Sequence, residues 1–387
     1  MIHDFYVYIF KKDKRKVEDK ISEYRGSKAR RSGWMEQNLP SVIQTNLISK
    51  SWYWLVKELT LFQKYYEAMN DDRRDDIKSG YKGLISISSL DVLAEKLITS
   101  STMPLPYCIA IQITFKLEKP FVSRDDDEFY IIDNPICKER VFKVPCVRST
   151  TWKGILRFTA YKMFVDELPL NKKDAFEKRA ILIRLFGNEK DRIEKILDEI
   201  FDRTFTPDTP ENTVSEEFFE YITRKNYVNK DGNRQGRLIF YPTLLNKIGL
   251  DVITPLDRVK RTPVRGPIFL ETARGKEVDE KGKIIEGAKG KFLLLYLPFD
   301  LMEKLSSEKE EDKQEPFEEI KEDLKLLKET IPKMLLEYGF SAKKTSGYGV
   351  VEDEIEFWIN SRHNKGSFDE FKKEMDEITR SLGDNNG

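Results

Sequence analysis

Asp125-Asp126-Asp127-Glu128 sets four carboxylates in a row, and Asp133-Asn134-Pro135 follows shortly after. Carboxylate oxygens suit hard divalent cations such as Mg²⁺; the bland alternative is a solvated acidic loop. Positive charge gathers in three other places. Lys143, Arg148, Lys153, Arg157 and Lys162 make a stretch of five basic residues without an acid. Lys343-Lys344-Thr345-Ser346-Gly347-Tyr348-Gly349 joins two lysines to two glycines, which let a ligand approach the backbone, and to a tyrosine ring that offers a stacking face. Arg258, Lys260, Arg261 and Arg265 lie in a segment, Asp257 to Lys291, with ten basic and six acidic residues. Such clusters neutralise phosphates, so the chemistry on offer is polyanion binding beside a cation site. Histidine occurs only as His3 and His363, and there is no G-x-x-x-x-G-K-[ST] loop. Histidine acid–base catalysis, triad hydrolysis and P-loop nucleotide hydrolysis are set aside.

The elements that position these groups follow from patterning. The chain has 387 residues, enough for two domains, and balances 67 basic against 67 acidic residues. No global field draws it to a polyanion, so any such site is a local patch. Cys108, Cys137 and Cys146 lack C-x-x-C spacing, which fits a reducing cytoplasm, and no apolar run is long enough to span a membrane. Ile109, Ile111, Ile113, Phe115 and Leu117 alternate strictly and predict a strand. Ser149-Thr150-Thr151 predicts a helix start near Thr150, with Trp152, Ile155, Leu156, Ala160 and Phe164 at helical spacing. Its first N–H groups would face an anion, with Lys153 and Arg157 sharing one face at i and i+4. Glu303 to Glu329 carries eleven acids and six lysines, a solvated helix face opposite the stripe Phe317, Ile320, Leu324, Leu327 and Ile331. Ser367-Phe368-Asp369-Glu370 is a capping box that opens a last helix.

Taken in order, these pieces resemble the RAMP superfamily of CRISPR proteins. Val144-Pro145-Cys146-Val147-Arg148-Ser149-Thr150-Thr151-Trp152-Lys153-Gly154-Ile155-Leu156-Arg157 is similar to the family's P-x-I-P-G-S-S-L-K-G-x-L-R segment, with Lys153, Gly154 and Arg157 matching. Leu185-Phe186-Gly187, Gly236-Arg237-Leu238-Ile239-Phe240 and Ser346-Gly347-Tyr348-Gly349 resemble its L-F-G, G-x-L-x-F and terminal glycine-rich elements. The resemblance implies an α+β fold, a ferredoxin-like or RRM-like antiparallel sheet with helices on one face, preceded by a mostly helical N-terminal region. It divides the chain into residues 1–104, an RNA-binding domain over 105–358 and a C-terminal helix over 359–387. Within the domain it implies an insertion at about 188–235 and a protruding hairpin at about 257–291.

By the same resemblance the chain is a subunit of a type III-like effector ribonucleoprotein, with guide RNA, target RNA and other effector subunits as partners. Arg148, Lys153, Arg157, Lys343, Lys344, Gly347, Tyr348 and Gly349 would lie along the guide, and Arg258, Lys260, Arg261 and Arg265 would sit on the hairpin. Asp125, beside Asp126 and Asp127, would hold Mg²⁺ for cutting of target RNA by its own 2′-hydroxyl. Three alternatives stay open: a non-cleaving structural or capping subunit, a guide-processing endoribonuclease relying on His3, and a scaffold with no RNA role.

Overall fold

Ile109, Ile111, Ile113 and Phe115 all turn inward from one strand, β1 (Ile109–Lys116), and are almost wholly buried in the computed structural model. The structure describes residues 107–124, 134–139, 145–169, 171–188, 192–205, 213–254, 257, 260, 262–263, 268–278, 282–307 and 309–384. The helices expected in residues 1–104 lie outside that set. After β1 come α1 (Ser149–Asp166), α2 (Lys172–Phe186), α3 (Arg192–Phe205) and α4 (Thr213–Arg224). Strands β2 (Leu238–Phe240), β3 (Ile248–Ile253), β4 (Ile268–Ala273) and β5 (Lys289–Tyr296) follow. Then come α5 (Glu310–Pro332), β6 (Ile355–Ile359), β7 (Arg362–Gly366) and α6 (Phe368–Asp384).

Strand β1 is the middle of a five-stranded antiparallel sheet ordered β7-β6-β1-β5-β2. Ile111 stands opposite both Leu294 and Ile359, and Ile113 opposite Phe292 and Phe357, so each inward residue of β1 joins a layer that crosses three strands. Numbered along the chain, β1, β2, β5 and β6 lie in the spatial order 4-1-3-2. This is the pair of interleaved β-α-β units of a ferredoxin-like sheet, with β7 added outside β6. Helices cover the inner face. Trp152 of α1 packs on Phe115 and Phe292, and Phe371 of α6 meets Phe357 edge-on at 5.5 Å. Ile320, Leu324 and Leu327 of α5 complete the same core, so the α+β class with helices on one face describes the molecule.

Three details differ from the expectations. A strand, β7, precedes the last helix; its residues Arg362-His363-Asn364-Lys365-Gly366 are polar and, among the described residues, pair with β6 alone. The hairpin starts earlier than Asp257, because β3 pairs with β4 from Ile248↔Ala273 to Ile253↔Ile268. A separate small hairpin, Glu277–Val278 with Ile284–Ile285, precedes β5. Finally, the acidic helix α5 is not solvated all along its charged side. Glu319 and Asp323 are buried and accept hydrogen bonds from Arg184 and Arg237.

That last contact explains two of the short motifs. Gly187 and Gly236 stand where the backbone leaves for α3 and α4 and returns, closed by the two-residue ladder Gly187↔Gln235 and Asn188↔Arg234. A Cβ on Gly187 would come within 2.6 Å of the Arg234 carbonyl, and one on Gly236 would strike the Leu185 carbonyl. Only glycine lets the two chains cross there. The crossing aims Arg184 and Arg237 together at Asp323, whose other neighbour is the Tyr296 hydroxyl at 2.9 Å. Asp300 holds the outer side of Arg237. Burial opposes ionisation of Asp300, but the hydrogen bond and charge of Arg237, with Arg234, outweigh it and hold the carboxyl at about 2.

Candidate functional site

The site starts at the first turn of α1. Arg148 is the N-cap residue in extended backbone, its side chain makes no cap bond, and no acid occupies the first turn. The peptide N–H groups at this end carry the positive end of the helix dipole, which favours an anion. Trp152, wholly buried, fixes the turn: its indole N–H donates to Thr243 at 3.0 Å, and Thr243 donates on to the Lys291 carbonyl of β5. Arg148 is exposed and Lys153 half-buried at this end.

Arg157 is not beside them. It is 6% exposed and turned into the protein, where its guanidinium donates to Glu194 of α3 at 3.1 Å and lies over the Tyr161 ring. Arg179 of α2 reaches the same carboxylate at 3.0 Å. The insertion helices cover that flank of α1, so the expected pairing of Lys153 and Arg157 on one open face is not formed. What remains open on α1 is a single stripe at four-residue spacing: Thr150, Gly154, Phe158, Lys162 and Asp166.

The glycine-rich turn adjoins this stripe. After α5 the chain widens into a π-type turn, Lys333–Tyr338, and doubles back at Gly339. Lys343 and Gly347 adopt left-handed backbone around the short 3₁₀ turn Lys344–Ser346. A Cβ on Gly349 would strike Ser341, and one on Gly339 would meet the Tyr348 carbonyl, whereas none of the described residues lies within 4 Å of the Cβ direction of Gly347. Lys344 lays its ammonium 4.6 Å from the centre of the Phe158 ring, joining the turn to α1. Burial lowers the pKa of Lys344. Tyr348 does not stand clear as a stacking ring: its hydroxyl donates to Asp251 of β3, and burial together with that bond pushes it up to about 12.

The strand end that leads to the acidic loop is tied to the same turn. Val122 receives Ala342 N–H at 2.8 Å on its carbonyl, and its own N–H donates to Ser341 Oγ at 2.7 Å. Gly349 N–H donates to the Pro120 carbonyl. Asn134 closes the other side, donating to the Ser123 carbonyl at 2.8 Å, while its own carbonyl accepts Glu271 N–H from β4. Ser123 and Asn134, which flank Asp125, Asp126 and Asp127 in the sequence, therefore lie next to the glycine turn and the base of the hairpin. Those aspartates, and Arg258, Arg261 and Arg265, lie outside the described residues; Lys260 is exposed near the hairpin tip. Among the described residues no cluster of three histidine, cysteine or carboxylate side chains is placed to hold a metal. Among them too, no helix is long and apolar enough to cross a membrane.

The residues that the sequence reading passed over are Phe158 and Tyr338. The signal was present in the four-residue step from Gly154 to Phe158 to Lys162, but an aromatic at helical spacing reads first as core.

Residues 83–352 match the RAMP superfamily, a span of more than half the chain. The chain belongs to the RAMP superfamily. Among solved structures it is similar to a chain in the cryo-EM structure of the Type III-B Cmr-beta bound to cognate target RNA, at 12% identity and a TM-score of 0.38, covering 87% of this chain and 96% of that one. It is also similar to Cmr6 from Pyrococcus furiosus, at 16% identity and a TM-score of 0.28, covering 64% of this chain and 98% of that one. No curated protein matches.

Proposed function

We propose that this RAMP protein is an RNA-binding subunit of a type III-like CRISPR effector complex, holding guide RNA along α1 and the glycine-rich turn. One observation carries the reading: Lys344 on the Phe158 ring brings the turn against the open stripe of a helix whose N-terminus is uncapped and flanked by Arg148 and Lys153. Backbone N–H groups, lysines and bare glycine backbone along one line are what a ribose-phosphate strand requires. Guide sequence would be read by base pairing. Other subunits of the complex and target RNA are the further partners, with the β3–β4 hairpin, its tip bearing Lys260, reaching towards them.

Replacing Lys153→Ala and Lys343→Ala together removes two phosphate contacts. The slope of log affinity against log salt should fall by roughly 1.4 for a single strand. Unchanged affinity and slope in a folded double variant would overturn the reading.

Target cutting is the finer part of the proposal. Asp125, with Asp126 and Asp127, supplies carboxylates of the kind that hold Mg²⁺, in the stretch of sequence between Ser123 and Asn134, two residues tied together beside the glycine turn. The metal would offset charge on the phosphate that reacts. Wild-type protein in its complex should cut target RNA with Mg²⁺, and Asp125→Ala should abolish cutting while leaving RNA affinity in place. No cutting by the wild type would leave the chain a structural subunit.

A further inference from the structure

We propose that Phe158 is a stacking platform for a base of the bound single strand, with Tyr338, Lys162 and Lys344 as its surround. The inference rests on the RNA-binding reading and adds a contact to the base where that reading uses phosphates. Helix α1 is buried on nearly every side, yet at the centre of its one open stripe it carries a phenylalanine that is 42% exposed. A lone exposed apolar side chain is common on a protein surface, so the case for Phe158 rests on what surrounds its ring.

Four observations converge on that ring. Lys344 Nζ sits 4.6 Å from its centre, and among the described residues pairs with no carboxylate. Tyr338 stands edge-on to it at 6.4 Å, and Lys162 Nζ lies 5.9 Å from the Tyr338 ring. Gly154, one turn nearer the N-terminus, has none of the described residues within 4 Å of where a Cβ would stand. A mid-helix glycine costs about 0.5–1 kcal/mol against alanine, and here no neighbour among the described residues requires it. Bare backbone on the approach to the ring is accounted for by a ligand that lies there. The fourth is distance: Thr150 to Phe158 is eight residues, roughly 12 Å along the helix, so a strand whose phosphate meets the helix N-terminus reaches the ring by following the stripe.

The occupant follows from charge. Lys162, Lys343 and Lys344 border the stripe, while among the described residues the nearby acids are Asp166, paired with Lys162 at 3.3 Å, and the exposed Glu337. Among the described residues Lys343 and Lys344 pair with no carboxylate, and a purely apolar protein surface would supply them none; a polynucleotide supplies phosphates for them and a π face for Phe158.

The test measures binding of oligo(rA) and oligo(rU) to the full chain in its complex, for wild type, Phe158→Leu and Phe158→Trp, at several salt concentrations. Adenine stacks more strongly than uracil. The wild type should prefer oligo(rA); Phe158→Leu should weaken oligo(rA) about 5- to 150-fold with its salt slope unchanged, and Phe158→Trp should retain binding. Photocrosslinking of 4-thiouridine RNA to the wild type, read by mass spectrometry, should mark the peptide that holds Phe158, and this readout stands if the leucine variant fails to fold. Equal oligo(rA) affinity for wild type and Phe158→Leu, or crosslinks only elsewhere, would overturn the platform and leave the phosphate site intact. Loss of subunit association with RNA affinity unchanged would make the patch a protein contact and overturn it equally. A wild type that binds neither oligonucleotide would overturn the RNA-binding reading itself.

Discussion

Removing Arg157 separates a structural arginine from a phosphate-binding one. In Arg157→Ala the carboxylate of Glu194, itself 4% exposed, loses a donor at 3.1 Å but keeps Arg179 at 3.0 Å and the Tyr161 hydroxyl. Breaking one partner out of a buried ion pair costs about 3–5 kcal/mol, and the remaining donors place this case near the lower end, ~3 kcal/mol. With a urea m-value of about 3 kcal/mol/M, the unfolding midpoint should fall by roughly 1 M at unchanged slope. RNA titrations below that denaturation range should show the wild-type salt slope, since no phosphate contact is lost. The reasoning is refuted if the midpoint stays within about 0.3 M while the salt slope drops by roughly 0.7, the signature of one lost phosphate on a single strand.

Asp323→Asn should destabilise by about 3 kcal/mol, because the buried Arg184 and Arg237 lose the carboxylate between them and keep Glu319, Glu322 and Asp300; chemical denaturation measures it. Glu315→Gln, which among the described residues pairs with the exposed Lys225 and Lys304, should change stability by less than about 1 kcal/mol in the same assay. Gly236→Ala should cost about 1–3 kcal/mol through the clash with the Leu185 carbonyl, seen as a lower melting temperature. Asp300 titrates lower folded than unfolded, so its contribution is complete above about pH 4 and is lost as pH falls through about 2. Asp300→Asn should therefore lower stability at neutral pH and flatten its fall over that acid range, as followed by circular dichroism.

How far the sequence predicted all this depended on range. β1 was legible because its five alternating apolar positions answer one core, and the capping box was legible because Ser367 and Glu370 answer each other; Ser367 N–H donates to Glu370 at 2.7 Å. β7 was not, since Arg362 to Gly366 has no apolar alternation and owes its strand to pairing with β6. Arg157 looked like one half of an exposed basic pair because its partner, Glu194, comes from an insertion helix whose position no local spacing encodes. Asp323 is the same lesson with the sign reversed. Within an acidic run it reads as solvated until Gly187 and Gly236 are known to cross and deliver two arginines to it. Order along the chain located the glycine turn and the start of α1, whereas the choice of which cations face outward was settled by tertiary cover.

The central position of β1 also constrains how the protein is born. Its pairing partners sit at Lys289–Tyr296 and Ile355–Ile359, so Ile109 to Lys116 leaves the ribosome long before either neighbour exists. At roughly 5–20 residues per second, the 180 residues from Lys116 to Tyr296 take about 9–36 s to synthesise. For that interval a strand whose inward residues are all apolar has both edges bare. Nascent RAMP chains of this type should accordingly be strong chaperone clients until translation has passed Ile359, and truncations ending before it should aggregate.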